Sequence, residues 1–433
     1  MEEYVMEVER PKWAQGKTID EEGFCRDFLV RYPLVYAEGC FFSPEGRVPE
    51  ERIRKLIYDY LHRIVTSGIA KKASTLLEVL KLECRKEEMP VSEVLIDCAN
   101  GTYHVGKQTF SDRKECCRCR LPVNYNPAAP EPKLWLSFLE ELLEGEDILT
   151  LQEFMGYCLV PVNYAQKMLM IIGQGGEGKS RIGIIARHLL GDTMVNGSLT
   201  KLENNAFARA DLQNRLLLVD DDLQLEALTT TGNIKSIVTA EQPLDLERKG
   251  VQSYQGLLFC RLMAFGNGNL RALHDRSHGF FRRQIILTAK PRRPDREDDP
   301  FLAQRIRQQE LEGIFLWCLE GLHRLMGNDM RFTISPRAEA NLNMAISEGN
   351  NTVDFMKSMG YIRLDPMAEV SSRQLYNVYK EWCEDNMLAS LSARSFISTL
   401  MGDAPSYGIR YSNHINGGSG RSVRGFQGIR CIV

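Results

Sequence analysis

The 433-residue sequence lacks several features that would place it in a broad class at once. No apolar run is long enough to span a bilayer, and the opening residues, MEEYVMEVERPKW, are acidic where a secretory signal is basic. Basic charge is not in excess, because 57 Asp and Glu oppose 54 Lys and Arg and give a net charge of −3. The sequence therefore predicts a cytoplasmic protein without membrane contact. Any surface for a polyanion must concentrate Lys and Arg locally.

The twelve cysteines include no second CxxC motif that would frame a zinc site. In a reducing compartment most of them are expected to be buried thiols. Only Cys116, Cys117 and Cys119 are clustered. The residues that could supply a fourth zinc ligand are Cys84, Cys98 and His104. Plain thiols are the expectation here, with metal binding by the cluster as the alternative.

The length suggests about two to four domains. We expect a mainly helical domain with short strands over 1–130, an α/β domain with a preceding helical segment over 131–335, and a C-terminal domain over 336–433. Between 166 and 325, strands and helices alternate as in an open α/β sheet.

Local patterns refine the first of these domains. Apolar residues at helical spacing predict a helical hairpin over 51–83. Turn residues then lead into short strands at 100–105 and 121–125. Prolines break the chain before a new helical run over 134–143.

The stretch from Met170 to Ile185, MIIGQGGEGKSRIGII, contains the pattern GxxxxGK[ST] between an apolar strand and a helical run. Its glycines are Gly173, Gly175, Gly176 and Gly178. Such glycines let backbone N–H groups wrap phosphates, while Lys179 would reach the β and γ oxygens and Ser180 would bind Mg²⁺ at the helix start. We therefore expect ATP and Mg²⁺ as ligands. A glycine-rich turn without a ligand is the alternative.

Acidic residues end the next apolar strand, where Asp220, Asp221 and Asp222 follow 216–219. A run of this kind predicts a buried parallel strand, and ligands bind at the carboxyl ends of such strands. We assign Asp220 to Mg²⁺ and Asp221 to the polarisation of the attacking water, with the identity of the base left open among the three. A solvated acidic turn is the alternative interpretation.

A further apolar strand over 262–266 ends in Asn267, whose amide can orient a water and contact the γ-phosphate. Standing alone, an Asn at a strand end is more often a turn former. Arg282 and Arg283 come before the strand at 284–287. In a ring, one of these guanidinium groups can reach the neighbouring subunit's phosphate and stabilise developing charge, whereas a surface basic pair is the alternative.

Between these strands, alternating residues over 244–257 surround Arg248, Lys249 and Gly250 and predict a hairpin with a basic tip. A cationic tip can hold a phosphodiester backbone without reading its sequence. Solvated charge on an exposed hairpin is the alternative.

Taken in order, these motifs resemble superfamily 3 helicases, the AAA+-like replicative helicases of small viruses, phages and plasmids. The likeness is closest to the phage/plasmid primase–helicase family related to the poxvirus helicase-primase, and it covers roughly residues 25–433. It implies an α/β fold with an AAA+-like P-loop core, and it makes Lys235 a nucleotide contact from the adjacent subunit. We expect a helicase module without a primase domain, because the first hundred residues contain no cluster of catalytic carboxylates suited to two-metal polymerisation. The acids of the second strand are all Asp where many relatives use Glu.

The C-terminal region holds the local basic charge that the whole chain lacks. Ser392–Leu400 has a helix-starting Ser and helical spacing, and two strand-like segments over 411–428 flank a glycine-rich turn. The basic residues on these elements include Arg394, Arg421 and Arg424. The resemblance implies a winged-helix domain, whose helix enters the major groove while its wing contacts the backbone. A packing domain, or one that binds protein, is the alternative.

Together the motifs and the resemblance predict an ATP-dependent replicative DNA helicase of a phage or mobile genetic element. Its implied partners are single-stranded and forked DNA, duplex origin DNA, further copies of itself in a hexameric ring, and a separate primase or replication initiator. The first alternative is an ATP-switched DNA-binding initiator or helicase loader without processive unwinding. A phosphotransferase acting on a small molecule is a third interpretation, which the C-terminal domain disfavours.

Overall fold

The computed structural model describes residues 10–15, 18–62, 64–89, 95–223, 231–267, 278–295, 297, 299–349, 351–386, 388, 390–416 and 422–432. The chain divides into two compact units. The larger comprises Met1–Gly268 and Arg282–Glu339, and the smaller comprises Asn269–Phe281 and Ala340–Val433. In the part of the chain that is described, no helix is both long and apolar enough to cross a bilayer.

The larger unit begins with three helices and two small antiparallel sheets. In chain order these elements are α1 (Glu21–Arg31), β1 (Val35–Ala37), β2 (Cys40–Ser43), β3 (Gly46–Val48), α2 (Glu50–Leu61), α3 (Ile69–Glu83), β4 (Leu95–Cys98), β5 (Gly101–His104) and β6 (Thr109–Ser111). The helical hairpin predicted over 51–83 is confirmed as α2 and α3, whose apolar faces bury Ile57 and Leu77 completely. The strand predicted at 100–105 is present as β5.

One expectation for this region is wrong, and one sheet was missed. Residues 121–125 form no strand, because the chain there makes only an isolated bridge between Arg120 and Asp97 before turning into loop. The partners of β5 are instead β4 and β6, which lie on either side of it. The sheet β1–β2–β3 was not expected, since its strands of three or four residues are too short to show periodicity.

The rest of the chain up to Gly327 carries a parallel sheet with helices around it. Its elements are α4 (Lys133–Leu142), α5 (Gly145–Tyr157), β7 (Met168–Gly173), α6 (Ser180–Leu190), β8 (Met194–Asn196), α7 (Leu199–Asn204), α8 (Ala206–Ala210), β9 (Leu217–Leu223), α9 (Gly232–Thr239), β10 (Leu244–Arg248), β11 (Val251–Gly256), β12 (Arg261–Asn267), α10 (His278–Phe281), β13 (Gln284–Thr288) and α11 (Leu302–Gly327). Of these, α10 belongs to the smaller unit.

Five parallel strands form the central sheet in the order β13–β7–β12–β9–β8. Every residue of β7 is buried, as expected of a strand covered on both faces. Asn267, the last residue of β12, lies beside Gly173, the last residue of β7. The carboxyl ends that were predicted to carry the chemistry therefore meet at one edge.

Helices α5 and α11 pack closely within the larger unit. A Cβ on Gly156 would lie 2.3 Å from the carbonyl oxygen of Cys318, so only glycine permits this approach. Glu310 of α11 accepts hydrogen bonds from the backbone N–H groups of Leu134 and Trp135, both at 2.9 Å, and thereby caps α4. The mixed α/β fold class is confirmed.

The smaller unit has its own core and a three-stranded antiparallel sheet. Its elements are α12 (Pro336–Gly349), which begins in the larger unit, and then α13 (Asn351–Met356), β14 (Ile362–Ser371), α14 (Ser372–Asp385), α15 (Ala393–Asp403), β15 (Arg410–Asn416) and β16 (Ser422–Cys431). The sheet order is β14–β16–β15. Phe396 of α15 is fully buried and stacks on Tyr379 of α14, with ring centroids 4.2 Å apart.

Candidate functional site

The glycine-rich segment forms a loop between β7 and α6, as predicted. Gly175, Gly176 and Gly178 have φ angles of +108°, +82° and +101°, a region that side-chain-bearing residues rarely adopt. Gln174, Gly175 and Gly176 are exposed, as is Ser180 at the first position of α6. The loop thus presents its backbone to solvent at the start of a helix, where the backbone dipoles favour an anion.

Lys179 is almost completely buried, at 6% exposure, and its ammonium group joins the loop to the next strand of the sheet. Its Nζ lies 2.7 Å from Oε2 of Glu177 and 3.0 Å from Oδ1 of Asn267. Two residues predicted from separate motifs 88 positions apart, Lys179 and Asn267, are therefore in direct contact.

Sequence reasoning missed Glu177. Its side chain is 2% exposed and bends back into the loop, where its carboxylate accepts hydrogen bonds from the backbone N–H groups of Gln174 and Gly175, the latter at 2.9 Å. A Cβ on Gly173 would lie 2.7 Å from both Glu177 Oε1 and Lys179 Nζ, so a side chain at that position would have to displace the ends of these two side chains. The motif leaves the residue before Gly178 unspecified, so no sequence signal marked this glutamate.

Of the three acids on β9, Asp220 has a structural role. Its carboxylate is buried and accepts hydrogen bonds from the backbone N–H groups of Leu199, at 2.8 Å, and Asp222, at 3.4 Å. Burial raises the pKa of Asp220, and these two hydrogen bonds oppose the rise. The side chain holds the start of α7 against the strand.

Asp221 and Asp222 are exposed. A Cβ on Gly183 of α6 would lie 3.4 Å from Val219 and 3.2 Å from Phe265, so these two side chains face α6. After Asp220 the pairing with β12 shifts register, because β9 advances from Asp220 to Leu223 while β12 advances only from Ala264 to Gly266. Asp221 and Asp222 lie in this irregular segment at the carboxyl end of β9, where their side chains are exposed.

Arg282 and Arg283 lie at the amino-terminal ends of the parallel strands, whereas the glycine loop lies at the carboxyl-terminal ends. The carbonyl of Arg283 accepts a hydrogen bond from the backbone N–H of Met168 at 2.8 Å, which places the pair beside the start of β7. Arg283 donates from Nε to Oγ1 of Thr239 at 3.0 Å and is half-buried, whereas Arg282 is exposed. Thr239 ends α9, the helix that carries Lys235.

The hairpin predicted over 244–257 is present as β10 and β11, with Gly250 at φ +76° in its turn. The two basic residues near this turn differ in exposure and in contacts. Arg248 donates from Nη2 to Oε1 of Gln213 at 2.6 Å and lies over the ring of Tyr254, whereas Lys249 is exposed. Arg248 also lines a cavity with Arg47, Lys201 and Arg215.

In the smaller unit, Arg394 and Arg424 are exposed on α15 and β16. Arg421, the third arginine predicted there, lies outside the described residues.

The cysteine cluster gives no support for a metal site. Among the residues that the structure describes, no group of His, Cys, Asp and Glu is arranged to hold a metal ion. Burial raises the pKa of Cys119 to about 12, with smaller opposing effects from nearby arginines, so this thiol stays protonated at neutral pH.

Comparisons with known proteins bear on both the N-terminal region and the sheet. Residues 13–144 match a family model described as D5 N terminal like, and residues 171–283 match a family of unknown function, DUF5906. The second match begins in β7 and ends at Arg283, so it spans nearly all of the predicted ATPase motifs. The first match agrees with the resemblance to primase–helicase proteins.

Solved structures of the NrS-1 C terminal region resemble the chain over most of its length. An A-form apo structure aligns with a TM-score of 0.50 at 10% identity and covers 92% of this chain and 87% of that one. An apo structure of residues 305–718 aligns with a TM-score of 0.53 at 10% identity, covering 94% and 98%. At this identity the likeness shows a shared fold.

Proposed function

We propose that this chain is an ATP-dependent replicative DNA helicase of a phage or mobile genetic element that translocates on DNA as a homo-oligomeric ring. The observation that carries the proposal is the contact between Lys179, in a glycine loop that opens a helix, and Asn267, at the end of the neighbouring strand. A buried ammonium group shared between these two elements is suited to a phosphate that both must reach.

The residues present fit a nucleotide. Backbone N–H groups at Gln174 and Gly175 and the Lys179 ammonium form one donor set, and they already hold an anionic carboxylate. Mg²⁺ would be held by Ser180 together with an acid on β9, and it would neutralise phosphate charge. We assign that acid to Asp221, which is exposed at the carboxyl end of β9, because the carboxylate of Asp220 is buried and already hydrogen-bonded to the start of α7. The base would then be Asp222, the other exposed acid of β9.

The arginine pair supports a ring. The carbonyl of Arg283 is hydrogen-bonded to Met168, the first residue of β7, and the strand from Met168 to Gly173 spans about 17 Å. Arg282 is exposed at the amino-terminal end of the sheet. It is too far from the glycine loop of its own chain to contact a phosphate there, but it can face the glycine loop of another copy. Arg283, held by Thr239, would position α9 and Lys235 beside it.

Basic side chains on the larger unit support contact with DNA. Lys249 is exposed at the hairpin turn, and the cavity beside the hairpin base is lined by Arg47, Lys201, Arg215 and Arg248 together with the acid Asp211. Such a concentration of positive charge suits a phosphodiester backbone and needs no base contacts.

The test is strand displacement on a forked DNA with ATP, comparing the wild-type chain with Lys179→Ala. A helicase releases the displaced strand only with ATP and an intact Lys179. ATP-dependent DNA binding without displacement would instead support the second candidate, an initiator or loader. That candidate is favoured by the smaller unit, whose order α13–β14–α14–α15–β15–β16 suits a winged helix with Arg394 and Arg424 exposed.

A further inference from the structure

The glycine loop is filled by a side chain of its own. One carboxylate oxygen of Glu177 accepts hydrogen bonds from the N–H groups of Gln174 and Gly175. The other oxygen accepts a hydrogen bond from the Lys179 ammonium at 2.7 Å. These are the donors that the proposed function assigns to phosphate oxygens. A carboxylate and a phosphate both present oxygens about 2.2 to 2.5 Å apart, so one can take the place of the other against a shared set of N–H donors.

We propose that Glu177 is an internal substitute for nucleotide phosphate, which occupies the loop until nucleotide displaces it and so sets the affinity of the site. The proposal rests on the proposed nucleotide-binding function. It makes Glu177 a positioning residue that opposes binding in the nucleotide-free protein and keeps the loop folded in its absence.

In the alternative role, Glu177 would be a structural brace, a side chain that stabilises the loop conformation whether or not nucleotide is bound. The two roles predict opposite effects of removing the charge. Removal of a brace disorders the loop and weakens nucleotide binding. Removal of a competitor frees Lys179 and the loop N–H groups, and binding becomes tighter.

The charge of Glu177 matters because it sits where phosphate charge would go. Burial alone would raise the pKa of this carboxyl, but hydrogen bonds from Lys179 and from the loop N–H groups outweigh burial and keep the pKa below its usual value. The carboxylate is therefore ionised throughout the neutral range. Nucleotide can bind only in the fraction of molecules in which it has left, which weakens the apparent affinity by that fraction.

The experiment measures the dissociation constant of a fluorescent ADP with Mg²⁺, by anisotropy, for the wild-type chain and for Glu177→Gln and Glu177→Ala. Gln keeps the size and one acceptor but turns an amide donor toward Lys179, so the ion pair with Lys179 is broken. Asp192→Asn is the matched control, because Asp192 is an exposed acid just beyond the far end of α6.

We expect both Glu177 variants to bind ADP at least about fivefold more tightly than the wild-type chain, while the control stays equal to wild type. Thermal unfolding gives a second readout. Without ADP the variants should melt at a lower temperature than wild type, because Lys179 loses its buried partner, and saturating ADP should raise their melting temperature by more.

The outcomes distinguish the substitute role from the nucleotide-binding function on which it rests. Wild-type binding with equal or weaker affinity in the Glu177 variants would overturn the substitute role and leave nucleotide binding standing. If Glu177→Ala does not fold, the Gln variant decides. Absence of ADP binding by a folded wild-type chain would overturn the proposed function and this inference together.

Discussion

The ammonium group of Lys179 lies 3.0 Å from the side-chain oxygen of Asn267, and this contact joins the glycine loop to the neighbouring strand of the sheet. We predict that Lys179→Ala lowers ATP hydrolysis at least about a hundredfold, since it removes the charge nearest the phosphates. Far-ultraviolet circular dichroism should be unchanged, because backbone conformation builds the loop. Hydrolysis at the wild-type rate would remove the basis for the nucleotide site.

A second prediction concerns Asp220 and Asp221 of β9, whose substitution should affect stability and ATP hydrolysis respectively. Asp221→Asn should abolish most hydrolysis, because it removes the carboxylate proposed to hold Mg²⁺, with little change in stability, because this side chain is exposed. Asp220→Ala should cost about 1 to 3 kcal/mol of unfolding free energy, because it leaves the N–H of Leu199 without its buried acceptor. Chemical denaturation and a phosphate-release assay on both variants check this. Loss of hydrolysis in Asp220→Ala, with hydrolysis retained in Asp221→Asn, would instead assign Mg²⁺ binding to Asp220, as the sequence alone predicts.

The arginine pair leads to a complementation prediction. Arg282→Ala and Lys179→Ala chains should each be inactive alone, yet mixtures should recover part of the hydrolysis at boundaries that join an intact loop to an intact Arg282. Arg283→Ala is the comparison variant. It should act mainly through stability, because Arg283 is bonded to Thr239 of its own chain. Mixed oligomers with no recovered hydrolysis at any ratio would argue against action between subunits.

The sequence predicted the fold of the central region because its strands are long apolar runs punctuated by glycine and acids. It placed β7, β9, β12 and the hairpin correctly, and it gave Lys179 and Asn267 separate roles at a phosphate, whereas their direct contact is a finding of the structure. It could not choose among Asp220, Asp221 and Asp222, since the choice depends on which of them is buried and hydrogen-bonded to the neighbouring helix. Glu177 was missed because its role arises from a loop that folds back on itself. The sheet β1–β2–β3 was missed because strands of three or four residues carry no detectable period.

The hairpin turn gives a prediction on DNA affinity. Lys249→Ala should weaken binding to single-stranded DNA and reduce the salt dependence of the binding constant by about 0.7 in log–log slope for each phosphate that the protein no longer neutralises. Lys107→Ala is the matched control, because Lys107 is an exposed lysine in the turn between β5 and β6. Titrations at several salt concentrations test both variants. An unchanged slope for Lys249→Ala, or an equal change for Lys107→Ala, would remove the hairpin from the DNA surface.

The smaller unit gives the last prediction, which separates duplex binding from a packing role. Phe396 and Leu400 bury one side of α15, while Arg394 at its start and Arg424 on β16 are exposed. If this unit docks on duplex DNA, the double variant Arg394→Ala with Arg424→Ala should lower duplex affinity and reduce the salt slope by about 1.8 if each arginine neutralises one phosphate. Arg363→Ala, an exposed arginine on β14 of the same unit, is the control for removal of charge alone. The measurement is a duplex titration at three salt concentrations with the full chain. Equal affinity and slope for all three proteins would mean that these arginines serve a protein partner or solubility, and duplex recognition would have to lie on the larger unit.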